Sequence, residues 1–112
     1  MIEKEDAMPQ KTYAGRTVDV DDEGFMTNAS QWTREIAESI AREEGIAILT
    51  PAHWKVIEFM QKETSETGQA PTIRKLNKSG VILTKELYEI FPGGPAKKAA
   101  KIAGLPKPVG CV

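Results

Sequence analysis

One cysteine stands among 112 residues, so no disulfide can close within the chain. That count gives no sign of a small secreted fold held by disulfides. Histidine is equally scarce, with one residue. One His and one Cys cannot complete a tetrahedral zinc site. No apolar run approaches the roughly 20 residues that span a bilayer. The opening "MIEKEDAMPQ" is charged and lacks the apolar centre of a secretory signal. A glycine-rich phosphate loop and a Ser/His/Asp set are also missing. These absences point to a cytoplasmic protein with no metal, no cofactor and no membrane contact.

What is present fits a single soluble domain with one modest core. The chain is 40% hydrophobic and 28% charged, as ordinary globular proteins are. Its formal net charge of −1 conceals a split. Residues 1–69 carry 7 Lys/Arg against 14 Asp/Glu, whereas residues 70–112 carry 8 against 2. Either the basic half meets an acidic partner or a nucleic acid, or the two halves face each other in the fold.

The pattern along the chain predicts an α+β fold. Residues 1–10 read as a disordered leader, 11–104 as a single domain and 105–112 as an extended, mobile C-terminal arm. "KTYAGRTVDVDDEGFM" alternates β-prone runs with turn signals and predicts a small antiparallel meander packed on helices. About five short helices follow. In "SQWTREIAESIAREEG", Trp32, Ile36 and Ile40 fall on one helical stripe, and Gly45 supplies the stop. The next begins at Thr50 as cap with Pro51 in the first turn, and ends at Gly68. Its expected seam is Trp54, Ile57 and Met60, broadened by Val56 and Phe59. "PTIRKLNKSG" gives a third helix facing inward through Ile73 and Leu76. "TKELYEIF" gives a fourth, capped by its threonine, and "GGPAKKAAKIAG" a fifth, from Pro95 to the Gly104 stop. Lys97, Lys98 and Lys101 share one expected exposed face of that last helix.

Beyond Gly104 the composition forbids helix. Pro106 and Pro108 each lack an N–H and push the preceding residue toward extended geometry. Seven such residues reach at most about 25 Å. Cys111 therefore sits near the tip of a stiff arm, with Gly110 as a swivel. A thiol so placed can enter another protein's active site, as a buried one cannot. It can attack a sulfane sulfur, hold it as a persulfide and present it onward. No second cysteine is available to resolve that persulfide. The α-carboxylate of Val112 opposes ionisation of the thiol, whereas Lys107 and the lysine face favour it if the arm folds back.

Other constellations carry less. His53 stands at a helix start, where it reads as a surface or capping residue. Asp21, Asp22 and Glu23 lack calcium-loop spacing and read as a solvated turn. Trp32 and Trp54 read as core. A rival reading takes Trp54 to Phe91 as a helix-turn-helix, with Arg74, Lys75 and Lys78 on DNA phosphates. Three cations supply only modest, salt-sensitive affinity.

The C-terminal run "IFPGGPAKKAAKIAGLPKPVGCV" resembles the signature of the DsrC/TusE sulfur-carrier family. "DDEGFMTNASQW", "LTPAHWKVIEFM" and "APTIRKL" are similar to earlier segments of that family, so the likeness spans roughly residues 11–112. The resemblance implies a mobile arm whose penultimate cysteine, here Cys111, receives and passes on sulfur. It implies partners that donate and accept persulfide sulfur, in tRNA 2-thiouridine formation or in dissimilatory sulfur metabolism. DsrC proteins proper carry a second cysteine where this chain has Ala100, so the single-cysteine pattern is TusE-like. The connection between Lys78 and Leu83 looks shorter than in many members. On this reading Lys97, Lys98, Lys101 and Lys107 form an electrostatic landing face, with Arg74 and Tyr88 as neighbours of the folded-back tip. The protein is then a carrier rather than a stand-alone enzyme. An accessory subunit that docks on dissimilatory sulfite reductase without turnover is a third reading.

Overall fold

The computed structural model describes residues 9–107. Strands β1 (Gln10–Tyr13) and β2 (Arg16–Asp19) pair antiparallel, with Lys11 opposite Val18 and Tyr13 opposite Arg16. Ala14 and Gly15 both take positive φ, 52° and 77°, as a two-residue turn matched to strand twist requires. Tyr13 and Val18 are buried on the same face. Gln10, expected in the leader, is paired with Asp19. The third limb of the meander is reduced to one bridge, Val20 to Met26. The Asp21 carboxylate explains this by accepting the backbone N–H groups of Glu23 and Phe25, at 2.8 and 2.9 Å. The turn they form drops Phe25 and Met26 into the core before a ladder can lengthen.

A single 3₁₀ turn (Ala29–Gln31) leads into five helices. They are α1 (Arg34–Glu43), α2 (Pro51–Thr67), α3 (Ile73–Ser79), α4 (Thr84–Ile90) and α5 (Pro95–Ile102). Thr33, Thr50 and Thr72 each accept a backbone N–H at the start of their helix, and Pro51 and Pro95 open the first turn. The fourth helix departs from expectation: Thr84 is its first helical residue, and Leu83, which cannot cap, stands before it. Trp32 also lies outside its expected helix, because the Thr33 cap comes after it.

Helix α5 is the centre of the packing. Its buried side is Pro95, Ile102 and three alanines, with Ala96, Ala99 and Ala100 fully covered, so α1 and α2 both pack closely against it. Ile36 and Ile40 of α1 and Val56, Ile57 and Met60 of α2 close the core around it, with Leu76, Leu87 and Phe91 from the α3–α4 side. Each large side chain so buried contributes about 1.5–3 kcal/mol. Trp54 and Phe59 are only partly buried, at the margin of the seam. His53, expected at the surface, is instead buried, 5% exposed, although it does cap. Its Nε2–H donates to the Ile90 carbonyl at 2.8 Å, while Nδ1 accepts from the Thr50 N–H at 2.9 Å. The Phe91 ring meets it edge-on. One imidazole thus ties the start of α2 to the end of α4. No helix among the described residues is long and apolar enough to cross a membrane.

Candidate functional site

The C-terminal end of α5 is where the domain hands over to the segment bearing Cys111. Gly104 takes φ +74°. Its N–H donates to the Lys101 carbonyl at 3.2 Å, and the Leu105 N–H donates to the Ala100 carbonyl at 2.9 Å. This paired closure is the Schellman turn, and glycine enters the left-handed region without a Cβ penalty. Leu105, expected in the arm, remains in the core at 5% exposure. Pro106 and Lys107 are the first exposed residues beyond it.

The remaining carbonyls at this helix end are taken by side chains from elsewhere. The Trp32 indole donates to the Ile102 carbonyl at 2.8 Å, and the Gln61 amide donates to the Ala103 carbonyl at 3.0 Å. Trp32 also presses close against Gly104. A Cβ there would come within 2.5 Å of the indole Cδ1. A residue before α1 and a residue on α2 therefore grip the same turn.

On the other flank the lysines face a shallow cleft of about 280 Å³, closed by Glu23, Phe25 and Glu44. They are less exposed than expected because the acidic half of the chain comes to meet them. Lys101 pairs with Glu44 at 3.0 Å, and Lys98 Nζ donates to the Glu44 carbonyl at 3.2 Å. Glu23 bridges two lysines, Lys97 at 3.6 Å and Lys107 at 2.9 Å. The Lys107 ammonium bonded to Glu23 holds that carboxyl below the usual carboxylate range. Of the two explanations for the charge split, facing halves account for these pairs. Three lysines against two glutamates still leave the cleft lining with an excess of positive charge.

Arg74 and Tyr88 are exposed on α3 and α4 and do not line the cleft. Pro108, Gly110 and Cys111 lie outside the described residues. Among the described residues, no three His, Cys, Asp or Glu side chains group closely enough to hold a metal ion.

A family profile described as DsrC like protein matches residues 12–112. The chain belongs to the DsrC family. It is 44% identical over 105 residues to the dissimilatory-type sulfite reductase subunit gamma of Nitratidesulfovibrio vulgaris, covering 94% of this chain and all of that one. It is 44% identical over 107 residues to the sulfurtransferase TusE of Escherichia coli, covering 89% and 97%. Among solved structures, a chain in the crystal structure of dissimilatory sulfite reductase I superposes with a TM-score of 0.81 at 40% identity, over 93% of this chain and all of that chain. The solution structure of Allochromatium vinosum DsrC superposes with a TM-score of 0.77 at 34% identity, over 95% and 100%. The α+β architecture expected from the residues is that of the DsrC structures.

The sequence suggests Trp32 for the core and Glu23 for a solvated turn, and nothing in it singles out Gln61 or Glu44. Each of the four meets its partner across at least 42 residues of chain. Only the −7 and +6 charge split hinted at the two glutamates.

Proposed function

We propose that this DsrC-family chain is a persulfide carrier, with Cys111 as the atom that accepts and releases sulfur. The observation that carries the reading is the reach of the family match, which runs through residue 112 and so includes the motif around Cys111. The fold supports it. Among the described residues the last buried one is Leu105, with Pro106 and Lys107 exposed beyond it.

The chemistry balances without an added oxidant. The Cys111 thiolate attacks the terminal sulfur of a donor persulfide, an S–S bond forms at Cys111, and the donor's own S–S bond breaks. The donor leaves as a thiolate, and one sulfane sulfur has moved. Passing it on repeats the step in the other direction. Because the chain has one cysteine, no internal disulfide can discharge the persulfide, and a second protein must take it. Donor and acceptor are therefore proteins presenting a persulfide or a thiolate, in a relay toward tRNA 2-thiouridine or in dissimilatory sulfur metabolism. Ala100, fully buried at the position of the second DsrC cysteine, favours the TusE-like role. The positive excess around Lys97, Lys98, Lys101 and Lys107 suits an acidic partner surface or the Val112 carboxylate. Arg74 and Tyr88 remain candidate contacts on the α3–α4 side, and Pro106, Pro108 and Gly110 set the stiffness of the arm. The setting we infer is the cytoplasm, where the thiol stays reduced.

Incubation with glutathione persulfide tests the reading. The C-terminal peptide should gain about 32 Da, the mass of one sulfur, reversed by reductant. Cys111→Ser should show no gain. A wild-type chain that stays unmodified under conditions that persulfidate a control thiol would overturn the proposal.

A further inference from the structure

Four hydrogen bonds and a ring contact converge on the four residues that end α5. The Ala100 and Lys101 carbonyls are taken by Leu105 and Gly104, and the Ile102 and Ala103 carbonyls by Trp32 and Gln61. An ordinary glycine stop satisfies the first pair and leaves the second to water or to the following turn. Here the donors come from two other elements, separated from their acceptors by 70 and 42 residues. They are neutral and only partly exposed, so salt does not screen them as it screens the lysine pairs nearby.

We infer that Trp32 and Gln61 are positioning residues of the sulfur relay, fixing with Gly104 the point and direction from which the Cys111 segment leaves the domain. The inference rests on the carrier role of Cys111. The physical argument is one of reach. With the chain gripped through Leu105, six residues separate the end of the clamp from Cys111, a span of at most about 21 Å. Released from Ile102 onward, nine residues separate them, and the limit rises to about 31 Å. The volume open to the sulfur then grows about threefold, and its local concentration at any one docking geometry falls in proportion. The segment that carries the thiol therefore has a rigid root, and the root decides which face of the protein presents it.

The native chain offers a direct test, because its lone cysteine takes a spin label unambiguously. A second label at Lys55→Cys, an exposed position on α2, gives the reference point. Double electron–electron resonance on the full chain then reads the distance distribution between the two. Trp32→Phe keeps an aromatic ring, smaller than the indole, and removes the N–H, and Gln61→Leu keeps the bulk and removes the amide. The double variant should broaden the distribution by about half as much again, in line with the lengthened reach. Gly80→Ala, which perturbs the helix stop after α3 at a glycine of positive φ, is the control for lost stability and should leave the width unchanged. Equal widths in wild type and double variant would overturn the inference, as would equal broadening by Gly80→Ala. Persulfide loading of the unlabelled wild-type chain separates the two readings. If loading fails while the distances respond, the clamp stands and its part in a relay does not.

Discussion

Helices α1 and α5 end in the same turn and put it to different uses. Gly45 and Gly104 both take positive φ, and Ile46 and Leu105 both fold back into the core with their N–H on a carbonyl five residues earlier. Around Gly45 there is open space, whereas Gly104 is pressed by Trp32. The carbonyl at the end of α1, that of Glu44, is met by Lys98, a long and flexible ammonium. Those at the end of α5 are met by an indole and an amide with few rotatable bonds. One stop merely turns the chain into a loop, and the other holds a mounting for the segment that carries the thiol. The turn sequence decides that a helix ends. What surrounds the turn decides how firmly it ends.

The largest expected effect sets the two glycines against each other. Gly45→Ala should cost about 1–2 kcal/mol, the penalty of a Cβ at positive φ. Gly104→Ala adds displacement of the Trp32 ring and loss of its hydrogen bond, for a total of about 2–4 kcal/mol. Urea denaturation of both variants measures the difference, and equal losses would mean that the ring contact is soft. Next in size, Trp32→Phe should cost about 1 kcal/mol by leaving the Ile102 carbonyl without its donor, read in the same titration. Lys98→Met should cost about 0.5 kcal/mol, the ordinary worth of a cation at a helix C-terminus, and the loss should shrink as salt is added. A Lys98 loss as large as that of Trp32 would erase the distinction between the two ends.

The smallest effect concerns the ion pair beyond the turn. Lys107 lowers the Glu23 carboxyl in the folded state, so its contribution to stability is present above the ordinary glutamate range. It is lost as pH falls through the lowered value. Carbon-detected NMR titration should show the Glu23 midpoint moving upward in Lys107→Ala. An unchanged midpoint would place Lys107 away from Glu23 in solution.

Much of this was legible in the residues because the determinants are local. Thr50 followed by Pro51, Pro95 after a glycine pair, and glycines at 45, 68 and 104 mark helix limits through the backbone conformations they permit. The errors share one cause, which is tertiary choice among locally allowed options. Trp32 sits four residues before Ile36, a helical spacing, yet Thr33 caps the helix and frees the indole to reach α5. Thr84 looked like a cap, but the chain enters α4 one residue earlier, through Leu83. His53 was read as a cap, and its second bond, to Ile90 across 37 residues, draws it inside. The lysine face was correct in its spacing and wrong in its isolation, since nothing near residue 97 announces Glu23. The family, by contrast, was readable from the final motif alone, because its prolines, glycines and cysteine stand at fixed intervals.

The position of Leu105 has a consequence for the whole molecule. Among the described residues, apolar covering ends at that residue, and the exposed pair of Lys107 with Glu23 follows it. A chain cut after residue 105 should therefore keep the fold of the body while losing its sole thiol, and thermal unfolding of that truncation measures what the last seven residues add.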